Sequence, residues 1–361
     1  MRALIGWSAL VAATGACGGS GDTAPAVVPD ASATDAVSET DARSEGAPDG
    51  APEGAPDGGP GATPDGARDA TIDPYGPGLR LNQIRMRGTH NSYHLRPDNL
   101  LPDWQYDHLP LDQQLNEQRV RQFELDVHFK PDGFRVFHLP AVDARSTCDR
   151  FTDCVAVLLA WSEAHRGHVP LVVLVEPKDD VDPTKVKDHL PELEAELRLT
   201  VPPDRLLTPD DVRGDFADVR TAITTRGWPV LAAVRGRLLF VLLDHGETRE
   251  AQLALHPGSA GGVFFVPGPE DEPASAFLLL DDASGDEARI TAAVQAGFMV
   301  RTMAGEDHRV APALRSGAHC ISTDTPLGIP IEPGGGPGCN PVTAGDDCEA
   351  VDLEPGVLSP R

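Results

Sequence analysis

The chain has 361 residues, with 30 Lys and Arg against 56 Asp and Glu and a formal net charge of −26. Such an acid surplus argues against nucleic acid as a partner and against attraction to anionic lipid by overall charge, whereas it is compatible with binding a divalent cation. The length leaves room for one large domain once the first 78 residues, which lack a core pattern, are set aside.

The first 17 residues have the layout of a bacterial export signal, with Arg2, an apolar run and small residues before Cys17. The stretch TGACGGS is typical of a lipoprotein processing site and predicts Cys17 as the lipidated residue. Ordinary secretion is the alternative, because Thr14 stands where such sites usually carry Leu. We therefore expect an exported protein that is either lipid-anchored to the cell envelope or secreted.

Residues 18–78 consist mainly of Ala, Pro, Gly, Asp, Ser and Thr, with the loose repeat GAPDGAPEGAPDGGPGATPDG. This composition buries too little apolar surface to offset chain entropy, so we expect a disordered acidic tether without catalytic groups. The folded domain is expected over 79–330. A Pro- and Gly-rich extension over 331–361 follows it.

Eight apolar, β-branched runs follow along the chain, and several are continuous, which is typical of strands covered on both faces. They cover residues 82–90, 121–129, 170–178, 237–245, 261–268, 276–282, 298–305 and 319–326. Helical patterns separate several of them, at 154–167, 183–199 and 286–297, the last with Gly297 as its stop signal.

This alternation predicts a parallel sheet, and eight strands in one domain favour an α/β fold of the (β/α)8 TIM-barrel type. A doubly wound open sheet is the alternative. The connection over 267–276 is too short for a good helix, so we expect the barrel to be irregular in its second half.

Six cysteines include Cys17, and four of the others form two closely spaced pairs. In an exported protein two short-loop disulfides are the natural interpretation, with Cys320 left as a buried thiol. The predicted disulfides join Cys148 to Cys154 and Cys339 to Cys348. A zinc site is the weaker alternative, because neither pair has a second pair or a histidine at finger spacing.

Polar side chains gather where the predicted strands end, and in a barrel that edge carries the chemistry. The first strand ends in His90 and Asn91. The second carries Glu124 and Asp126 two residues apart, and therefore on one side of the strand. After a PDG turn, the stretch FRVFHLP returns His138 to the same edge.

The third strand ends in Glu176, with Lys178 two residues further on the same side. Three carboxylates and the Asn91 amide oxygen are hard ligands, a set that suits Ca²⁺ or, less well, Mg²⁺. Two histidines remain free for proton transfer. A cation beside two acid–base groups favours phosphodiester cleavage, in which the cation activates a hydroxyl and the histidines move protons.

Four motifs in this order, GTHNSYH, FELDVH, VFHLP and VVLVEPK, resemble the X-type catalytic half-barrel of calcium-dependent phosphatidylinositol-specific phospholipase C, particularly its bacterial secreted branch. The later stretches VRTMAGED and GAHCISTDTP resemble the seventh and eighth strands of that family. The likeness covers roughly residues 80–330. It implies Ca²⁺ as cofactor and cleavage of phosphatidylinositol, or a related inositol phosphodiester, to diacylglycerol and inositol phosphate.

The resemblance also implies a role for each matching residue. His90 would act as general acid toward the departing diacylglycerol oxygen, and His138 would stabilise the phosphorane. Lys178 and Arg301 are candidate contacts to the headgroup phosphate or inositol. Their alternatives are a solvated charge for Lys178 and a structural ion pair with Asp324 for Arg301. The implied calcium ligands, with Glu124 doubling as base for the inositol 2-hydroxyl, are Asn91, Glu124, Asp126 and Glu176.

The segment 99–111 places Leu101, Trp104 and Tyr106 in a loop above the predicted site, where it either contacts a membrane surface or packs on the barrel. Four further histidines carry no ligand spacing and are interpreted as structural or surface residues, namely His94, His128, His165 and His168.

Two other functions stay open. A glycerophosphodiester phosphodiesterase on a related barrel would show H-R-G and then E-N in its first motif, whereas this chain has H-N-S. A catalytically idle surface lipoprotein that binds lipids or glycans would need no histidines beside calcium ligands. We expect a monomer that acts on a phosphoinositide or glycerophosphoinositol and has no nucleic-acid partner.

Overall fold

The computed structural model describes residues 72–98, 104–305, 307–332, 335–346, 348–354 and 356–357. The predicted signal peptide with Cys17 and the predicted tether up to residue 71 lie outside the described residues. Among the helices that are described, none combines the length and the hydrophobicity that crossing a bilayer requires.

Within the described residues the sheet has ten strands, which in chain order are β1 Ile84–Thr89, β2 Gln122–Lys130, β3 Gly133–Val136, β4 Leu171–Pro177, β5 Leu238–Leu242, β6 Phe264–Phe265, β7 Phe277–Leu279, β8 Met299–Met303, β9 Cys320–Thr323 and β10 Gly338–Cys339. Eight of them run parallel in the order β6-β5-β4-β2-β1-β9-β8-β7. The two short strands β3 and β10 pair antiparallel with β2 and β1. The eight parallel strands coincide with the eight predicted runs, and the TIM-type barrel is confirmed.

The barrel stays open between its fifth and sixth parallel strands. These two, β6 and β7, lie at opposite ends of the strand order, and no ladder joins them in the part of the chain that the structure describes. The segment between them contains Pro267, Pro269 and Pro273 and forms no helix. Since proline supplies no backbone N–H, this connection favours neither a helix nor a ladder, and the expected irregularity is confirmed.

The described helices are α1 Leu111–Glu117, α2 Phe151–Ala164, α3 Leu190–Thr200, α4 Pro209–Arg213, α5 Val219–Thr225, α6 Leu231–Val234, α7 Glu247–Leu255, α8 Glu287–Gln295 and α9 Asp307–Ser316. The predicted helix at 183–199 starts too early, because a 3₁₀ turn at Val186–His189 precedes α3. The Asp179 carboxylate accepts the backbone N–H groups of Val186 and Lys187 and so holds that turn in place. Pro191 then stands in the first turn of α3, where its missing N–H costs nothing.

Gly297 ends α8 as the sequence predicts. Its φ is 99°, a conformation that side chains disfavour, and a Cβ there would lie 3.0 Å from the carbonyl oxygen of Ile223. The chain therefore turns tightly from α8 into β8.

Alternation along β2 determines which side chains face the barrel interior. Phe123, Leu125 and Val127 are buried in one apolar cluster with residues of α1, α2 and α3. Because successive side chains of a strand point to opposite faces, Glu124 and Asp126 face the interior. Their inward orientation is therefore a consequence of the helix layer packed on the other face.

The C-terminal extension docks at the amino end of the barrel. Its strand β10 pairs with the start of β1, and the structure joins Cys339 to Cys348 near this contact and Cys148 to Cys154 elsewhere. Further along the extension, Glu354 accepts two hydrogen bonds from the buried Arg121 guanidinium, at 2.7 and 2.6 Å. Cys320 is a buried free thiol. The extension is thus an ordered part of the folded domain.

Contacts with the barrel also begin ahead of residue 79. The carbonyl oxygen of Pro74 accepts a hydrogen bond from the Val230 N–H at 2.8 Å. The Tyr75 hydroxyl donates to the carbonyl oxygen of Asp211 at 2.9 Å, and the Arg226 guanidinium lies 3.4 Å above its ring centroid. The last residues of the predicted tether therefore pack on the folded domain.

Candidate active site

The turn after β1 brings His90 and Asn91 to the carboxyl edge of the barrel. Asn91 has a φ of 45°, in the left-handed region that Asn tolerates better than most residues. The next residue, Ser92, donates its backbone N–H to the carbonyl oxygen of Glu124 at 2.9 Å, which ties this turn to β2. Asn91 is only 3% exposed. Asparagine therefore suits this position for two reasons, because it tolerates the left-handed turn and offers an amide oxygen to a cation.

Three carboxylates converge at this edge. Asp126 and Glu176 are direct partners in the pairing of β2 with β4, and ligand oxygens of Glu124, Asp126 and Glu176 all lie within 4.8 Å of one another. Asp126 is fully buried, and its Oδ1 has no hydrogen-bond partner among the described residues. A buried carboxylate oxygen without a donor is suited to binding a cation.

The electrostatics of Asp126 support the same conclusion. Burial raises the pKa of its carboxyl group well above the ordinary value, and the charge of Glu176 raises it further, while Lys178 acts in the opposite direction. The protein thus holds acidic groups together although their mutual repulsion disfavours ionisation. A divalent cation would relieve this repulsion, so the residues present fit Ca²⁺.

Lys178 and Arg301 are already paired with these acids. Lys178 Nζ lies 2.8 Å from Asp126 Oδ2 and 2.7 Å from Glu176 Oε1. Burial lowers the pKa of this ammonium, but the two carboxylates outweigh burial and raise it overall. Arg301 is 3% exposed and places Nη2 at 2.5 Å from Glu124 Oε2.

The alternative pairing of Arg301 with Asp324 is wrong. The second amino group of Arg301, Nη1, contacts Asp281 at 2.6 Å. Asp324 lies just beyond the end of β9, where it contacts His90 instead. Both lysine and arginine predicted as headgroup contacts therefore lie within the acidic cluster of the site.

His90 stands between two carboxylates. Its Nδ1 is 2.9 Å from Asp324 Oδ1, and its Nε2 is 3.6 Å from Glu124 Oε1. Burial lowers the pKa of this imidazole, but Glu124 and Asp324 outweigh burial and raise it to about 9. The two carboxylates therefore favour the charged imidazolium.

His138 has a single carboxylate partner. Its Nδ1 lies 2.8 Å from Oδ2 of the fully buried Asp143. Burial lowers the pKa of His138, and the charges of Lys178 and His90 lower it further, although Asp143 opposes them. The two predicted catalytic histidines thus differ in protonation, His90 toward the charged form and His138 toward the neutral one.

The described part of the 99–111 loop packs against these groups. The Trp104 ring meets the His138 ring edge-on at 5.5 Å, and the Tyr106 ring stacks on His94 at 4.2 Å. Burial raises the pKa of the Tyr106 hydroxyl, and the Asn91 side chain acts in the opposite direction. Leu101 lies outside the described residues.

Sequence reasoning missed the acids that orient the histidines. The sequence pattern indicates Asp324 only as a partner of Arg301 and assigns no role to Asp143. A signal exists for Asp143, since it follows His138 by five residues in HLPAVD, a stretch short enough to form a tight turn. His94, interpreted as structural, contacts Asp143 as well.

The comparison with protein families agrees with this geometry. The model of Ca²⁺-dependent phosphoinositide phospholipase C matches residues 79–133 and 128–330. The chain belongs to this family. As a member of this Ca²⁺-dependent family it is a phosphodiesterase with Ca²⁺ as cofactor.

Solved structures of similar fold include Ca²⁺-dependent phosphatidylinositol-specific phospholipases C. A Ca²⁺-dependent phosphatidylinositol-specific enzyme from Streptomyces antibioticus has a TM-score of 0.53 and 19% identity, covering 68% of this chain and 95% of its own. A calcium-dependent enzyme from a Gram-negative Pseudomonas species, solved in an apo crystal and as a myoinositol complex, has a TM-score of 0.56 and 18% identity. That match covers 75% of this chain and 98% of the other. No curated protein matches the sequence.

Proposed function

We propose that this phospholipase cleaves phosphatidylinositol to diacylglycerol and an inositol phosphate, with His90 as the proton donor and His138 as the proton acceptor. The observation that carries the proposal is the difference in partners of the two imidazoles. His90 has a carboxylate near each nitrogen, whereas His138 has one at Nδ1 only.

A carboxylate accepts hydrogen bonds and donates none, so an imidazole nitrogen beside it has to carry the proton. His90 Nδ1 meets this condition at Asp324, and the charge of Glu124, whose Oε1 lies 3.6 Å from Nε2, favours a second proton there and thus the imidazolium. An imidazolium can protonate the diacylglycerol oxygen as the phosphorus–oxygen bond breaks. This assignment agrees with the role implied by the resemblance.

His138 donates from Nδ1 to Asp143 and in its neutral form keeps the lone pair on Nε2. A phosphorane stabiliser would need an N–H at that nitrogen. We therefore assign His138 as the acceptor of the proton from the attacking inositol hydroxyl, in place of the stabilising role implied by the resemblance. Glu124, whose Oε2 accepts from Arg301, then serves as a calcium ligand and as a counter-charge for His90 rather than as the base.

Four residues would hold the calcium ion: Asn91, Glu124, Asp126 and Glu176. When bound, Ca²⁺ lowers the pKa of an attacking hydroxyl and offsets negative charge on the phosphorane. In the absence of calcium, Lys178 and Arg301 pair with the carboxylates and hold them in place. When a divalent cation balances the acidic charges, both side chains become available to bind the substrate phosphate.

A cavity beside the carboxylates can take the headgroup. It has a volume of about 520 Å³ and lies between the loops that follow β4 and β5, with Glu176, Asp244 and His245 in its wall. Polar groups of this kind hydrogen-bond the hydroxyls of a polyol. The cavity therefore supports binding of an inositol headgroup beside the carboxylates.

The test is the release of water-soluble phosphate product from phosphatidylinositol vesicles and, separately, from glycerophosphoinositol. We expect turnover of phosphatidylinositol in calcium and none in excess chelator. Hydrolysis of glycerophosphoinositol alone would favour the glycerophosphodiesterase, and calcium-dependent vesicle binding without turnover would favour the idle lipoprotein.

We also propose that the protein is exported, on the N-terminal signal and Cys17 alone. Mass spectrometry of the mature N-terminus tests this. A diacylated Cys17 indicates an envelope lipoprotein, an unmodified cleaved N-terminus indicates secretion, and an intact Met1 contradicts export.

A further inference from the structure

A second histidine lies behind His138, on the far side of the carboxylate that holds it. Asp143 Oδ2 is 2.8 Å from His138 Nδ1, and both of its oxygens are 3.1 Å from His94 Nε2. Asp143 and His94 have no solvent exposure. The other nitrogen of His94, Nδ1, lies 3.1 Å from the carbonyl oxygen of Tyr106.

The hydrogen-bond partners of His94 dictate where the protons are. A carbonyl oxygen only accepts, so His94 Nδ1 has to donate to Tyr106. His94 Nε2 then faces Asp143, and one proton has to lie between these two groups, either as an imidazolium beside a carboxylate or as an imidazole beside a carboxylic acid. In both cases Asp143 Oδ2 has no proton to offer His138, so His138 Nδ1 is the donor.

The local backbone holds Asp143 in this position. Leu139 and Asp143 exchange backbone hydrogen bonds at 2.9 and 3.0 Å, which closes a tight turn immediately after His138. Within it Ala141 adopts a φ of 64°, a conformation that a residue with a Cβ rarely takes. Strain of this kind persists only where the surroundings impose it, and here the turn returns the carboxylate against its neighbouring imidazole.

We propose that Asp143 and His94 are positioning residues that hold His138 in the Nδ1–H form and leave Nε2 as its proton-accepting atom. His94 directs Asp143, and Asp143 directs His138. The use of that nitrogen in catalysis rests on the proposed function, whereas the tautomer itself can be observed without any reaction.

Two substitutions at Asp143 distinguish the effect of its hydrogen bond, which fixes the tautomer of His138, from the effect of its negative charge. Asp143→Asn places an amide oxygen at His138 and an NH₂ at His94, because a neutral His94 with its proton on Nδ1 can only accept at Nε2. Both hydrogen bonds then persist without the shared proton. Asp143→Ala removes both, and His138 is free to move its proton to Nε2.

The measurement is the ring ¹⁵N spectrum of the full-length protein labelled at histidine, with the His138 signals assigned by their loss in His138→Ala. We expect the Nδ1–H pattern in the wild type and in Asp143→Asn, and a large Nε2–H population in Asp143→Ala. Glu194→Ala is the matched control, because Glu194 is a buried carboxylate on α3 that lies 3.0 Å from His256 Nε2, and its loss should leave the His138 signals unchanged.

Kinetics on a soluble inositol phosphodiester provide the second readout. Asp143→Ala should lower kcat by about 10²-fold, as expected when a proton acceptor is lost, with KM and calcium affinity within about twofold of wild type. Asp143→Asn should recover most of that kcat.

Three outcomes overturn the positioning role: a wild-type His138 protonated at Nε2, an Asp143→Ala protein with unchanged tautomer and kcat, or an Asp143→Asn protein as impaired as Asp143→Ala. If Asp143→Ala does not fold, the wild-type and Asp143→Asn spectra still decide. Full activity of His138→Ala with the expected wild-type tautomer would instead remove the proposed function and leave the positioning role standing.

Discussion

The two ends of the barrel use the same charged residue types in opposite ways. At the carboxyl edge, Glu124, Asp126 and Glu176 lie within 4.8 Å of one another, and a buried oxygen of Asp126 has no donor among the described residues. At the amino end, Arg121 and Glu354 form a buried two-bond ion pair in which each charge meets its complement. One end is arranged to bind a cation, and the other to keep the fold closed.

Two histidines repeat the contrast. His319, at the start of β9, accepts the Val300 N–H at Nδ1 and donates from Nε2 to the carbonyl oxygen of Asn82, so it is neutral. Burial lowers its pKa to about 4. His90 is partly exposed, and the charges of Glu124 and Asp324 outweigh the effect of its burial and raise its pKa to about 9. The carboxylate partners of His90 thus set its charge, whereas His319 has only backbone partners.

The largest expected effect is at His90. If it protonates the leaving oxygen, His90→Ala should lower turnover of phosphatidylinositol by about 10²–10⁴-fold, the usual range for a lost general acid. A substrate with a nitrophenol or thiol leaving group needs no such proton and should recover much of this loss. Steady-state rates on the two substrates measure the effect.

His138→Ala is the comparison for that experiment. The proton acceptor for the attacking hydroxyl is needed whatever the leaving group, so the activated substrate should rescue this variant far less. Calcium affinity, measured by titration calorimetry, should barely change in either variant. Equal rescue of both, or a large loss of calcium affinity on removing His90, would contradict the roles assigned.

At the amino end, Glu354→Gln should destabilise the protein by about 3 kcal/mol, because it leaves the buried Arg121 charge without its partner. Urea unfolding monitored by circular dichroism measures the change. Since Glu354 is part of the C-terminal extension and is remote from the carboxylates, calcium affinity should stay the same. A loss of calcium affinity equal to that of a site variant would break the proposed separation of the two ends.

The sequence predicted one end better than the other. The strand runs, the β2 carboxylates and the two histidines follow from local periodicity and from motifs, so the carboxyl edge could be outlined in advance. Glu354 and Arg121 are separated by 233 residues, and nothing in the neighbourhood of either indicates the other. Asp143 shows the same limit at short range, because its contact with His138 depends on a left-handed Ala141 that residue type does not predict.

The opposite change in stability is expected at the carboxyl edge. Asp126→Asn removes a buried carboxyl group whose ionisation the fold disfavours, so without calcium it should stabilise the fold by about 1–2 kcal/mol at neutral pH while weakening calcium binding. The same unfolding assay in chelator and in calcium measures both effects. Destabilisation in chelator would mean that the ion pair with Lys178 outweighs the repulsion.

The pH dependence supplies a second check on Asp126. Because its pKa is raised in the folded state, the metal-free native protein takes up this proton before the unfolded chain does. Stability in chelator should therefore rise as the pH falls from 7 toward the ordinary carboxyl range of about 4. Asp126→Asn should lack that rise, and a parallel pH profile in both proteins would contradict the pKa shift.

The smallest effect is expected for residues 72–78, the first part of the chain that packs on the folded domain. This segment lies away from the carboxylate cluster and from the Arg121–Glu354 ion pair. A protein that begins at Ile72 should match the full chain in stability and in activity on a soluble substrate. One that begins at Leu79 loses the Tyr75 hydroxyl bond to Asp211 and the stacking of Arg226, which together stabilise the fold by about 1 kcal/mol. Its thermal midpoint should fall by a few degrees with kcat unchanged, because none of these groups reaches the carboxylates. Equal thermal midpoints for the two proteins would place the boundary of the folded domain at residue 79, as the sequence predicts. A fall in kcat would show that residues 72–78 support the site as well as the fold.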